Sequence, residues 1–360
     1  MRYGIIGSGM MGVEHINNIA AIEGATVTAI ADPDAGSLET ALAATKADGA
    51  TDGTEVATFA DHRALLEADL VDAVVVASPN MTHAEVLLDV LPTGVHLLIE
   101  KPLCTTVEDC RRVIEAATNP DQVVHVGLEY RYMPPVARLI EAVHGGAVGV
   151  PRMVAIREHR FPFLVKVDNW NRFSANTGGT LVEKCCHFFD LMNHILGERP
   201  HRVMASGAQD VNHLDEVYDG RSSDILDNAF VIVEYPSGAR AHLDLCMFAD
   251  ATRFQEEVSV VGADGKVEAL LPEGLLRTGR RGEHWVGAVD EEQVATDHIA
   301  FEGLHHGSSY LEHLDFIAAV TNGTPPPVTL ADGLWSVAIG VAAHRSIDEG
   351  RAVLMDEILQ

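Results

Sequence analysis

Cysteine is scarce, with five in 360 residues (Cys104, Cys110, Cys185, Cys186 and Cys246) and no CxxC pair. Neighbours such as Cys185 and Cys186 make poor bridge geometry, so a disulfide framework is excluded and a reducing, cytoplasmic setting is expected. Positive charge is short as well: 25 Lys and Arg stand against 53 Asp and Glu, for a net charge of -28. Such a chain repels phosphate backbones and anionic lipid, which argues against nucleic acid and membrane surfaces as partners. No apolar run approaches the roughly 18 residues of a membrane span. An apolar strand starting at residue 2 or 3 leaves no room for a leader segment. Repeats and low-complexity tracts are missing too. What the chain has is core material. Hydrophobic residues make up 47% and mean hydropathy is +0.09, as in a packed globular protein, and the length suggests two domains.

Residues 2–6, 25–32, 71–78, 94–100 and 121–127 read as short strands rich in Val, Ile and Ala, with helical patterns between them. Near-continuous apolar strands alternating with helices predict a parallel sheet covered on both faces. Between the first strand and its helix lies Gly7-Ser8-Gly9-Met10-Met11-Gly12. Gly7 permits a tight turn, Gly9 lets backbone approach a pyrophosphate, and Gly12 lets helix and strand pack closely. The helix start then offers free N–H groups to phosphates. A GxGxxG alone is weak. A strand before it, a helix after it and Asp32 at the end of the second strand make it a dinucleotide site. A carboxylate at Asp32 accepts hydrogen bonds from ribose hydroxyls and repels a 2′-phosphate. Pro33-Asp34 follows with no Lys or Arg, so NAD is the expected cofactor rather than NADP.

Four further motifs follow GSGMMG in order: SPNMTH (78–83), EKP (100–102), GLEYRYMP (127–134) and GGTLVEKCCHFFD (178–190). Together they resemble the glucose–fructose oxidoreductase / inositol dehydrogenase family, Gfo/Idh/MocA. The resemblance implies an α/β fold with an N-terminal Rossmann domain, a doubly wound parallel sheet over residues 1–127. It also implies a C-terminal α+β domain over 128–360 with an open, mainly antiparallel sheet. Strand-like segments at 151–157, 202–208, 228–235, 239–246 and 256–262 are compatible with this, and 330–349 reads as a helix. In the family the exposed sheet face commonly pairs with another subunit, which implies a homo-oligomer, dimer or tetramer. Cofactor contacts are implied for Ser78, Pro79, Asn80, His83, Glu100 and Lys101, beside Gly7 to Gly12 and Asp32.

Lys101 directly follows a buried strand and would ordinarily be a surface lysine. Strand C-termini in an open α/β sheet face the ligand crevice, however. In the family the EKP lysine sits by the reacting hydroxyl. Glu183 and His187 lie four apart, which is either a plain surface pair or one face of a buried helix. Flanking Leu181, Val182, Phe188 and Phe189 favour burial. By resemblance His187 shares proton transfer with Lys101, and Glu183, where many sugar-oxidising relatives carry Asp, binds or orients a hydroxyl. His187, Asp190 and His194 lack a completing ligand cluster, so no metal is expected.

From Arg131 to Lys184 there are eight basic residues and four acids, in a chain that is otherwise strongly acidic. Two readings stand side by side. Arg131, Arg157, Arg160, Lys166, Arg172 and Lys184, with Trp170 among them, either line a pocket for an anionic sugar or make structural salt bridges. His306 closes the site or belongs to a helix-entry loop. The leading expectation is NAD-dependent oxidation of a ring hydroxyl of a sugar, sugar derivative or cyclitol. One alternative is a redox-neutral, NAD-assisted glycoside hydrolase acting on an anionic glycoside such as a sulfoquinovoside. Another is a non-catalytic NAD-binding regulator, against which the presence of both Lys101 and His187 speaks.

Overall fold

The computed structural model describes residues 1–47 and 55–360. Contacts divide them into two compact units, one of Met1–Glu129 with Asp297–Leu334, the other of Tyr130–Thr296 with Trp335–Gln360. The sequence boundary at 127/128 assigned all later residues to the second half. Residues 297–334 instead return to the first unit. Phe316 and Ala319, on the helix Ser308–Asn322, share one core with Tyr3, Ile5, Ile16 and Ile19. Periodicity reports that a face is buried but not against what, so this return leaves no local mark in the sequence.

Among the described residues the first unit carries β1 (Arg2–Ile6), β2 (Thr26–Ala31), β3 (Ala57–Phe59), β4 (Ala73–Val76), β5 (His96–Glu100) and β6 (Val124–Gly127). All pairs are parallel, in the order β3-β2-β1-β4-β5-β6. Ala73–Val76 is buried at every position, which explains why these strands read as unbroken apolar runs. The order reverses between β1 and β4, so a crevice opens beyond their C-terminal ends. The glycine loop follows β1 there, and Ser78-Pro79-Asn80 follows β4. The three-residue β3 gave no pattern to read.

The second unit holds a nine-stranded sheet in which one pair, Pro151–His159 with Arg240–Cys246, is parallel and the rest are antiparallel. Gly265–Leu271, Leu275–Arg280, Asp290–Gln293 and Val353–Leu354 are strands that the sequence reading missed. Asp290–Gln293 and Val353–Leu354 are short, and Leu275–Arg280 ends in polar residues, whereas Gly265–Leu271 alternates from Gly265 to Ala269 and was legible. In Asn228–Glu234 the alternation is clear: Ala229, Val231 and Val233 point inward, while Phe230 is 63% exposed. Ile232, Met204 and Met153 are likewise exposed on the outer face.

Candidate functional site

The glycine loop separates into two kinds of position. Gly7 has φ +89° and Gly12 packs against the Gly7 carbonyl, so a side chain at either would strike backbone, at Ser78 in the first case. The protein's own packing demands both. At Gly9 an added Cβ would meet nothing within 4 Å. That glycine leaves room for something other than the chain itself. The helix Met10–Ala20 starts directly after it with no side-chain cap, so its first N–H groups remain available to an anion. The Asn80 amide nitrogen is buried without a hydrogen-bond partner among the described residues. An uncapped helix start, an unfilled space and an unsatisfied donor fit the pyrophosphate and amide groups of a dinucleotide.

Asp32 sits at the end of β2, held by the Ser8 backbone N–H at 2.6 Å and the Ser8 hydroxyl at 3.0 Å on one oxygen. The Asp34 N–H donates to the other at 2.9 Å. A fixed carboxylate at this point should favour NAD over NADP by at least about tenfold, one charge repulsion of roughly 1.4 kcal/mol. Titrating both cofactors calorimetrically measures the ratio, and Asp32→Ser should narrow it; equal wild-type affinities would end the argument.

His83 has a structural place in the protein's own packing. It is fully buried, with Nδ1 2.9 Å from the Pro102 carbonyl and Nε2 3.0 Å from the Ser78 carbonyl. It sits between the loop after β4 and the turn after β5; burial pushes its pKa down, and the neutral ring donates its single N–H to one of the two carbonyls. Glu100, the last residue of β5, is also buried. One of its oxygens lies 2.9 Å from His15 Nε2, and the other accepts the Lys101 N–H at 3.0 Å. Lys101 is therefore half-buried at the strand end, beside the strand that leads to Ser78.

In the second unit Gly179 adopts φ +87° and packs against the His344 imidazole, which in turn accepts the Leu181 N–H at 3.1 Å. This turn launches two short helices, Thr180–Glu183 and Cys186–Leu196, rather than one continuous helix. The expected burial holds, with Glu183 6% and His187 2% exposed. The His187 ring stacks on Tyr130 at 4.1 Å between centroids and 9° between planes. Lys184 Nζ donates to the Tyr130 hydroxyl at 2.6 Å and pairs with Glu158 at 2.9 Å. Sequence reasoning quoted the Tyr130 motif but did not single out this ring.

The basic residues mostly have acidic partners of their own. Arg131 makes a two-pronged pair with Asp190, both contacts at 2.6 Å. Arg157 pairs with Glu257, and Arg160 with Glu158 at 3.3 Å. Arg172, only 2% exposed, binds Glu216 at 2.9 Å and the Phe163 and Leu164 carbonyls. Lys184 is buried, and burial lowers its pKa despite Glu158. These contacts accord with the salt-bridging reading for Arg131, Arg157, Arg160, Arg172 and Lys184. Lys166 and Trp170 are half-buried in the same segment. His306 caps the turn Gly303–His305 and belongs to the first unit.

Residues 1–128 match the oxidoreductase family pattern described as an NAD-binding Rossmann fold, and residues 140–355 match its C-terminal alpha/beta domain. Myo-inositol 2-dehydrogenase of Thermotoga maritima is 30% identical over 361 residues, covering 100% of both chains. Inositol 2-dehydrogenase 3 of Saccharopolyspora erythraea is 36% identical, over 98% of this chain and 95% of its own. The crystal structure of a probable dehydrogenase from Thermotoga maritima superposes with a TM-score of 0.77 at 26% identity, covering 99% of this chain and 100% of that one. These relatives lend nothing to the glycoside-hydrolase alternative. Among the described residues no helix is long and apolar enough to cross a membrane.

Proposed function

The chain belongs to the Gfo/Idh/MocA oxidoreductase family, and from that premise we propose that it oxidises a ring hydroxyl of a neutral cyclitol or sugar. Bound NAD supplies the hydride acceptor. Lys101 and His187 handle the hydroxyl proton, and Glu183 orients the substrate. The observation that carries the reading is Lys101 at the end of β5, adjacent in the sheet to the strand that feeds the Ser78-Pro79-Asn80 loop. Full-length relatives named as inositol dehydrogenases support the substrate class.

A neutral substrate is preferred because Arg131, Arg157, Arg160 and Arg172 each already face a carboxylate, of Asp190, Glu257, Glu158 (shared with Lys184) and Glu216. Offering myo-inositol, scyllo-inositol, glucose and glucuronate with NAD tests this, with NADH absorbance as the readout. One NADH per molecule of a neutral polyol consumed is expected. Faster turnover of glucuronate, with its advantage lost in Arg160→Gln, would restore the anionic pocket. The exposed Met204, Phe230 and Ile232 give a second copy of the chain an apolar face to pack on. Sedimentation of the pure protein reads this directly, and a monomer at micromolar concentration would rule it out.

A further inference from the structure

Behind Lys101 lies a group of buried titratable side chains that the proposed reaction leaves unused. His15, on the helix Met10–Ala20, has both ring nitrogens engaged: Nε2 2.9 Å from Glu100, and Nδ1 2.9 Å from His313 Nε2. A carboxylate can only accept, so the His15 Nε2 carries a hydrogen. Burial opposes charge on His15, but the hydrogen bond and charge of Glu100, helped by Glu312 and Glu14, outweigh it and raise its pKa. Burial likewise opposes charge on Glu100, and His15 together with Lys101 brings it well below the usual carboxylate range. His313 is driven the other way by burial and by the charges of His15 and His125, so it remains neutral. His15 and Glu100 thus form a hydrogen-bonded pair in the interior, in which each favours the charged form of the other.

We propose that the His15–Glu100 pair sets the proton affinity of Lys101, with His15 acting through Glu100 as a positioning residue for the proton step. The proposal rests on Lys101 being the proton acceptor. The groups around the pair decide its sign. Lys101 faces two carboxyls, Glu100 and Glu129. Burial, with the charges of Glu100 and Glu312, holds Glu129 protonated, and His305 stands 3.7 Å from it. His125 is occupied with Glu312 at 3.3 Å. Glu100 is therefore the ionised neighbour, and its charge favours the ammonium form of Lys101. A base must shed that proton. The positive charge of His15 at 2.9 Å offsets the Glu100 field and makes the free amine easier to reach. Glu100 also grips the Lys101 backbone at 3.0 Å, so the same pair fixes where the lysine starts.

Competitive acetylation of the full-length protein across pH, read on the Lys101 peptide by mass spectrometry, gives the lysine's apparent pKa without any substrate. Glu100→Gln should lower it by about one unit, and His15→Gln should raise it by roughly half a unit to one unit, because at the alkaline pH where a lysine titrates Glu100 is ionised even without His15 and keeps its Lys101 N–H bond. The acid limb of the kcat/KM profile with myo-inositol should move the same way. A loosened fold would not push two neighbouring variants in opposite directions. An unchanged Lys101 value in Glu100→Gln overturns the proposal, even should His15→Gln fail to fold. A fully active Lys101→Ala would instead sink the proton role assigned to Lys101, whatever the acetylation shows.

Discussion

Lys101→Ala and His187→Ala should each lower kcat by about 10²–10⁴-fold, the usual range for a lost proton-transfer group, with NAD affinity nearly intact. The expectation follows from where the two side chains lie. Lys101 emerges at the end of β5 with its backbone N–H fixed by Glu100, so its removal leaves the glycine loop, Asp32 and Asn80 untouched. His187 is stacked on Tyr130 inside the second unit, far in sequence from every residue of the dinucleotide loop. Steady-state rates with myo-inositol, beside calorimetric NAD titrations, separate the two effects. Wild-type turnover in either variant would remove that residue from the chemistry. For His187 a second outcome is informative: because the ring is 2% exposed, His187→Gln should fill its space and stay folded while remaining slow.

The second large effect concerns stability. Asp190→Ala should destabilise the protein by about 3–5 kcal/mol, because it takes the paired carboxylate away from the buried Arg131 guanidinium. Both contacts of the pair are 2.6 Å long, and the side chains are 9% and 1% exposed. Replacing both residues at once, as Arg131→Met with Asp190→Leu, should recover most of the loss, since no buried charge is then left alone. Removing the solvent-facing Arg253, paired with Glu273, should change little, as exposed pairs contribute about 0–1 kcal/mol. Urea unfolding midpoints with unchanged slopes are the measurement. A double variant as unstable as Asp190→Ala would mean that the pair acts through shape rather than charge.

His306 and Arg172 mark where reading along the chain stopped being sufficient. Both were selected for residue type and neighbourhood. The structure gives Arg172 to Glu216, over forty residues later, and groups His306 with the first unit. His15 went unnoticed although it follows Gly12 by three positions on the buried side of the helix, between Gly12 and Ile16. A histidine inside an apolar stripe looks like core until its partners are known, and Glu100 and His313 come from β5 and from a helix near residue 313.

The amino-acid sequence by itself determined the parallel sheet, the glycine loop, the NAD-type acid at Asp32, the strand-end lysine and the burial of His187. Each depends on local spacing, on residue type at an element's end, or on a motif confined to a few positions. Tertiary structure alone decided that 297–334 completes the first unit, that most of the basic segment meets carboxylates from elsewhere in the chain, and that His83 and His15 pack behind the Lys101 turn. The physical reason is the same in all three. Electrostatic and hydrogen-bond partners are chosen by distance in space, and folding brings together side chains whose separation along the chain carries no pattern.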